Sequence, residues 1–178
     1  MAAKYLHYTY DQLNTFCMDA FQKFGFSESE ARIISDVLLL SDLYGIESHG
    51  MQRLVRYHKG IEKGMIDVHA KPEIVHETPV SAVIDAHDAM GQLVSHQAME
   101  LAIEKAKKTG MAIVSVRNSN HFGIAGYYAK MACDQGLVGM AMTNSEAIMV
   151  PTYARMAMIG SNPIALAVPA EPYPFFFD

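Results

Sequence analysis

Cysteine is scarce in this chain: Cys17 and Cys133 are the only two among 178 residues. Both fall in stretches that read as helices with apolar neighbours, which argues against a disulfide framework and for a reducing, cytoplasmic setting. Long apolar runs are missing as well, and none approaches the ~20 residues of a membrane span. Met1-Ala2-Ala3-Lys4-Tyr5 lacks the apolar segment of a signal peptide. Basic residues are outnumbered, with a formal net charge of -5, so nucleic acid is not expected as the main partner. No Walker loop occurs, and Gly123 and Gly126 supply only G-x-x-G, with Gly136 too far on for a dinucleotide fingerprint. Neither H-E-x-x-H nor paired C-x-x-C is present, and His58, His69, His76, His87 and His96 are scattered. No built-in metal is expected.

What the chain does have is core. Hydrophobic residues make up 51% and charged residues 19%, enough for one domain or for part of a larger one, and too apolar for disorder. Thr9 and Gln12 have capping-box spacing, and Leu13, Phe16, Cys17, Ala20, Phe21 and Phe24 then recur at helical period. Ser27 and Glu30 repeat the box ahead of a second helix that turns Ile34, Val37, Leu38 and Tyr44 inward. Gly25 and Gly45 end these two helices. A third helix is predicted over residues 50–63, closed by Gly64.

The pattern then changes to α/β. Residues 73–78 and 81–87 read as a hairpin, 92–108 as a helix, 111–116 as a buried strand, and 123–135 as a helix. Strands follow at 137–143 and 164–168. Strand, helix, strand between Met111 and Thr143 predicts a βαβ unit with a parallel pair. A helical segment over residues 1–70 thus precedes an α/β body over residues 71–178. The closing "PYPFFFD" reads as a buried strand, expected either in a piece of a longer protein or at a terminus tucked into a sheet. The first of these is preferred here.

Three stretches could carry chemistry. In "RNSNHFG", His121 sits between a predicted strand and helix, where loops gather ligands and the following helix offers free N–H groups. Imidazole titrates near neutrality and can pass a proton. The competing reading has Asn120 capping the helix and His121 merely packing. In "ESHGMQRLVRY", His49, Arg53 and Tyr57 are four apart, which on one helix places them on one face. A guanidinium fork can grip a carboxylate beside a titratable imidazole; the alternative is a solvated face not needed for burial. In the third stretch Thr143, Asn144 and Ser145 follow a predicted strand and could meet His121 over the same sheet edge. Gly160-Ser161-Asn162-Pro163 is a turn signal, in which Asn162 either closes an Asx-turn or contacts a ligand.

Taken together, "SHGMQR", "NSNHFGIAGYYA", "GLVGMAMTNS" and "GSNPIALAVPA" resemble the malate/L-lactate dehydrogenase family of non-Rossmann type, which includes sulfolactate, ureidoglycolate and diketogulonate oxidoreductases. The resemblance runs through nearly the whole chain. It implies a mixed α/β sandwich with a non-Rossmann NAD-binding fold, a homodimer, and NAD- or NADP-dependent hydride transfer between a small 2-hydroxy acid and its 2-oxo acid. It assigns proton transfer to His121 or His49, the substrate carboxylate to Arg53 and a substrate contact to Tyr57. Ser145 and Asn144, with Asn162 and Pro163, fall at the cofactor. The family's chains continue past the position of Asp178, so the resemblance also implies an N-terminal fragment, its other half cleaved, absent or a separate chain. Two further readings stay open: an inactive truncation acting only in dimer or partner contacts, and a metal-dependent hydrolase using His49 and His121.

Overall fold

Two capping boxes open the chain's first two helices. The computed structural model describes residues 6–178, so Met1 to Tyr5 lie outside it. Helix α1 (Tyr10–Lys23) starts where the Thr9 hydroxyl accepts from the Gln12 backbone N–H and the Gln12 side chain returns the bond. Ser27 and Glu30 do the same for α2 (Glu28–Leu43). Each box satisfies helix donors that would otherwise face water unpaired. Cys17 and Phe21 of α1 pack with Ile34 and Leu38 of α2 in one buried cluster. Burying a ring such as Phe21 stabilises by about 1.5–3 kcal/mol. Phe16 and Tyr44, expected inward, are 55% and 44% exposed; helical period marks a face, but the neighbour decides how wide the covered face is.

The third helix is shorter than predicted. Residues 47–49 and 51–53 form two separate 3₁₀ turns, and α3 is confined to Leu54–Glu62. The break falls at Gly50, whose backbone is extended (φ -83°, ψ -153°), and the Asp42 carboxylate of α2 accepts there from the Met51 backbone N–H at 2.8 Å.

Strands β1 (Glu73–Thr78) and β2 (Ser81–Asp85) form the expected antiparallel hairpin. Helix α4 (Gly91–Thr109) leads to β3 (Ile113–Arg117), which pairs with β2 in parallel. Helix α5 (Ala125–Cys133) then leads to a second sheet of β4 (Gly139–Met142), β5 (Ile164–Val168) and β6 (Phe175–Phe177), antiparallel throughout. The parallel unit is therefore β2-α4-β3, and the predicted pairing of the strands on either side of α5 does not occur. Those two strands belong to different sheets. Periodicity identifies strands; it does not say which partner each one finds. The β2–β3 pair is the one parallel pairing of the fold among the described residues, so no doubly wound sheet is formed.

The strand expected in "PYPFFFD" is present, but it is not buried. Phe175, Phe176 and Phe177 are 54%, 38% and 58% exposed. Cys17 and Cys133 are free thiols. No described helix is long and apolar enough to cross a membrane.

Candidate active site

The loop from β3 to α5 is held in place before any ligand is considered. At its start Asn118 adopts a left-handed backbone, φ 52°, and its side-chain amide donates to both oxygens of Asp85 at 3.0 Å. Arg117 Nε donates to the same carboxylate at 2.9 Å. The Asn118 amide, then burial acting the other way, then His87 N–H and Arg117 leave the Asp85 carboxyl below its ordinary range. Asn120 does not cap α5. Its amide donates to the Asp88 and Ala89 carbonyls at 2.9 and 3.2 Å, tying the loop to the entry of α4. The N-cap of α5 is Ile124, with no side-chain bond. Gly123 turns the chain at φ +85°, where a Cβ would lie 2.4 Å from Val37.

On this frame His121 meets residues of the helical segment. Its Nδ1 lies 2.8 Å from the Tyr57 hydroxyl and accepts from the Gly123 backbone N–H at 3.3 Å. Its ring stacks on His49, centroids 5.3 Å apart and planes inclined by 26°. His49 Nδ1 lies 2.9 Å from the Ser48 hydroxyl, and Arg53 Nε donates to the Ser48 carbonyl at 2.5 Å. That bond anchors Arg53 by its Nε alone; its two terminal nitrogens bond no protein group among the described residues. His49, Arg53 and Tyr57 do not share a helical face, because the first two sit on separate 3₁₀ turns. Tyr57 is not part of a solvated stripe either. It is 1% exposed, packed with Phe21 at a ring distance of 6.5 Å.

The electrostatics follow from burial and from like charges. Burial first, then His49, Arg53 and Arg56, push the His121 imidazole down to about 4. Burial and Arg53 lower His49 as well, while the Asp178 carboxylate opposes them. Burial pushes the Tyr57 phenol up to about 12 against the Gln92 amide and the two arginines. At neutral pH the site therefore presents two uncharged imidazoles and a neutral phenol beside two guanidinium cations. It is a place for an anion that has a proton to give or take.

A second group forms at the far end of β4. The Ser145 backbone N–H donates to Asn162 Oδ1 at 3.0 Å, and the Asn162 N–H donates to Ser145 Oγ at 3.3 Å. Asn162 thus closes no Asx-turn with its own neighbours; its side chain ties its loop to one 17 positions earlier, and its backbone is left-handed at φ 44°. Asn144 and Pro163 are held at the same junction through Thr143, whose hydroxyl donates to the Asn144 carbonyl and whose N–H donates to that of Pro163. Ser145, Asn144 and Asn162 are exposed. The expectation that this group and His121 share one sheet edge is not met, since β3 and β4 lie in different sheets. No hydrogen bond among the described residues joins the two groups.

Two residues near the imidazoles escaped sequence reasoning. Asp178 Oδ2 accepts from the Gly126 N–H at 2.9 Å, so a donor at the start of α5 that was expected to be free is taken. An aspartate 52 positions away leaves no local pattern to read. Gln92, the other, is wholly buried. Among the described residues, no group of three or more His, Cys, Asp or Glu side chains is placed to hold a metal ion.

The sequence profile described as malate/L-lactate dehydrogenase matches residues 8–178. A malate dehydrogenase of Pyrococcus abyssi is 48% identical over 174 residues, covering 98% of this chain and 48% of that protein. An L-sulfolactate dehydrogenase of Methanocaldococcus jannaschii is 43% identical over 161 residues, covering 90% of this chain and 47% of its own length. Among solved structures, a malate dehydrogenase from Pyrococcus horikoshii OT3 superposes with a TM-score of 0.94 at 46% identity, over 97% of this chain and 50% of that one. The chain thus spans about half the length of the relatives it matches.

Proposed function

The chain belongs to the malate/L-lactate dehydrogenase family, and from that premise we propose that it forms the acid-binding and proton-transferring part of an NAD- or NADP-dependent oxidoreductase. The reaction is the interconversion of a 2-hydroxy acid, of the malate, lactate or sulfolactate type, and its 2-oxo acid. One observation carries this reading: a neutral, half-buried imidazole is stacked on a second one, beside an arginine whose terminal nitrogens are left for a ligand.

In the oxidation direction Arg53 binds the substrate carboxylate as a two-pronged donor. That fixes the C2 hydroxyl over the imidazoles, and positioning of this kind supplies much of a rate enhancement. His121 Nε2 takes up the hydroxyl proton as the C2–H bond breaks, and His49, stacked against it, is the second candidate for that role. The bound carboxylate offsets the arginine charge and raises the proton affinity of His121 when it is needed. In reduction the same atoms return the proton. Tyr57 acts from beneath, through its contact with Nδ1. In this reading the helical segment over residues 1–70 supplies the acid side of the site, and residues 71–178 supply His121 and the cofactor side.

A nicotinamide nucleotide, when bound, supplies the hydride acceptor or donor. Ser145, Asn144, Asn162 and Pro163 fit such a group as exposed hydroxyl, amide and backbone at one loop junction. The start of α5 does not fit a pyrophosphate, because its Gly126 N–H already serves Asp178. A dinucleotide would therefore be gripped by loop groups and not by a glycine-rich helix start, in keeping with the absent fingerprint.

The partner we propose is a second copy of the chain, as the family resemblance implies, and the apolar surface left by Phe175, Phe176 and Phe177 is where we place the half that its relatives carry. The deciding experiment joins this chain to the second half that its relatives carry. Reduction of NAD and NADP is then followed with malate, lactate and sulfolactate. Acid-dependent reduction is expected from the joined protein and weak cofactor binding from the 178 residues alone. A joined protein that dimerises but oxidises none of these acids would favour a role confined to partner contacts.

A further inference from the structure

Helix α4 begins hard against the His121 loop. A Cβ added to Gly91 would lie 2.3 Å from the Asn120 carbonyl oxygen and 2.5 Å from that of His121. On the other side of this helix start, Met90 belongs to the buried cluster that contains Tyr57, and Leu93 packs against the same cluster. Gln92 lies between these contacts and is 0% exposed. Its side-chain amide faces the Tyr57 hydroxyl, yet neither Nε2 nor Oε1 completes a hydrogen bond within the described residues. A fully buried primary amide with no settled partner is rare enough to need a reason.

We infer that Gln92 is a positioning residue: its amide sets which way the Tyr57 hydroxyl points, and the hydroxyl sets which ring nitrogen of His121 carries the proton. The inference rests on the proton-transfer role proposed for His121.

What each atom can donate decides the arrangement. A backbone N–H only donates, so the Gly123 contact requires a lone pair on His121 Nδ1 in the resting ring. The ring proton is then on Nε2, and the Tyr57 hydroxyl also points its hydrogen at Nδ1. The phenol oxygen is left as an acceptor, and Gln92 Nε2 is the donor we assign to it.

When His121 takes a proton from a substrate hydroxyl, the demands reverse. The resting Nε2–H is first lost to water while a water proton enters at Nδ1, which frees the Nε2 lone pair. The substrate proton then moves from its oxygen to Nε2, and the imidazolium carries a hydrogen on both nitrogens. Tyr57 must now accept that hydrogen, so its own hydrogen needs another acceptor. Gln92 Oε1 provides it. An amide offers a donor and an acceptor at one position, so it serves both states; a hydrocarbon serves neither.

The test reads the ring directly, by nitrogen NMR of the chain with labelled histidine and no substrate. The neutral His121 ring is expected to show its proton on Nε2; a proton found on Nδ1 overturns the inference. Gln92→Met removes the acceptor that the imidazolium state needs, so the His121 titration midpoint should fall by roughly one unit. In a Tyr57→Phe background the same substitution should leave the midpoint where it was. Gln92→Asn, which withdraws the amide by one methylene, carries the same expectations if the Met variant does not fold. A midpoint that stays put in the Tyr57 chain, or that moves equally in both backgrounds, overturns the inference. A tautomer and midpoint that behave as stated in a joined protein that oxidises no acid would refute the proposed function and leave Gln92 in its role.

Discussion

His121 and Ser145 both sit in loops that follow strands, but they are held in different ways. His121 is fixed from 64 positions away by Tyr57, in a partly buried contact, and its loop is stitched to α4 and β2 by Asn120 and Asn118. Ser145 is fixed from 17 positions away by Asn162, in exposed contacts that close a local loop. The first arrangement suits proton transfer, which needs a group with its environment set in advance. The second suits holding something from the surface, where water can be exchanged for a ligand at small cost. Substitutions in the two groups should therefore separate chemistry from binding.

The imidazole itself is where most would be lost. His121→Ala should cut kcat/KM in the joined protein by about 10²-fold or more. Unfolding curves that stay close to the parent would assign the loss to chemistry. An activity within a factor of two of the parent would move the proton-transfer role to His49. Arg53→Ala comes next. Charge-assisted bonds to a carboxylate are each worth about 1.5–3 kcal/mol, so KM for the acid should rise roughly 10- to 100-fold with a smaller change in kcat. Equal losses for an acid substrate and its amide would show that Arg53 does not grip the carboxylate.

Tyr57→Phe removes one hydroxyl and keeps the ring packed against Phe21. A loss of about 0.5–1.5 kcal/mol in urea unfolding is expected, with a rise in the mobility of the His121 ring. The same site makes stability depend on pH. Folding holds His121 near 4, against about 6.5 in the unfolded chain, so over that window the unfolded state binds the proton first. The contribution is complete above about 6.5 and is lost as pH falls towards 4. His49 shifts in the same direction. Urea midpoints should drop between pH 7 and pH 5, and the drop should shrink in His121→Asn.

The parts of this design that could be read from the sequence are those set by neighbours. Both capping boxes formed as spaced, as did the hairpin at Thr78-Pro79 and the strand Ile164–Val168. Partners were not legible. β3 chose β2, and at the break beside Gly50 the Asp42 carboxylate accepts from Met51 across 9 positions. Tyr57 reads as polar in a helical register, but its ring is drawn under by Phe21 from another helix. The meeting of His49 with His121 is likewise tertiary. It could be anticipated only through the family resemblance of "SHGMQR" and "NSNHFG", since no spacing joins residues 72 positions apart.

Ser145→Ala should do the least, and the smallness of the effect is informative. It removes a hydroxyl that accepts from the Asn162 N–H at 3.3 Å, while the Ser145 N–H bond to Asn162 Oδ1 survives. Both groups are exposed, so water replaces what is lost, and stability should change by no more than about 0.5 kcal/mol. In the joined protein the apparent affinity for NAD or NADP should nevertheless fall several-fold, with kcat at saturating cofactor close to the parent. Asn162→Ala loosens the junction as well and should lower both affinity and stability, because its side chain is what ties the two loops together. If Ser145→Ala instead lowered kcat as strongly as Arg53→Ala, the exposed junction would be part of the proton-transfer site, and the division between a buried chemical group and a surface binding group would be wrong.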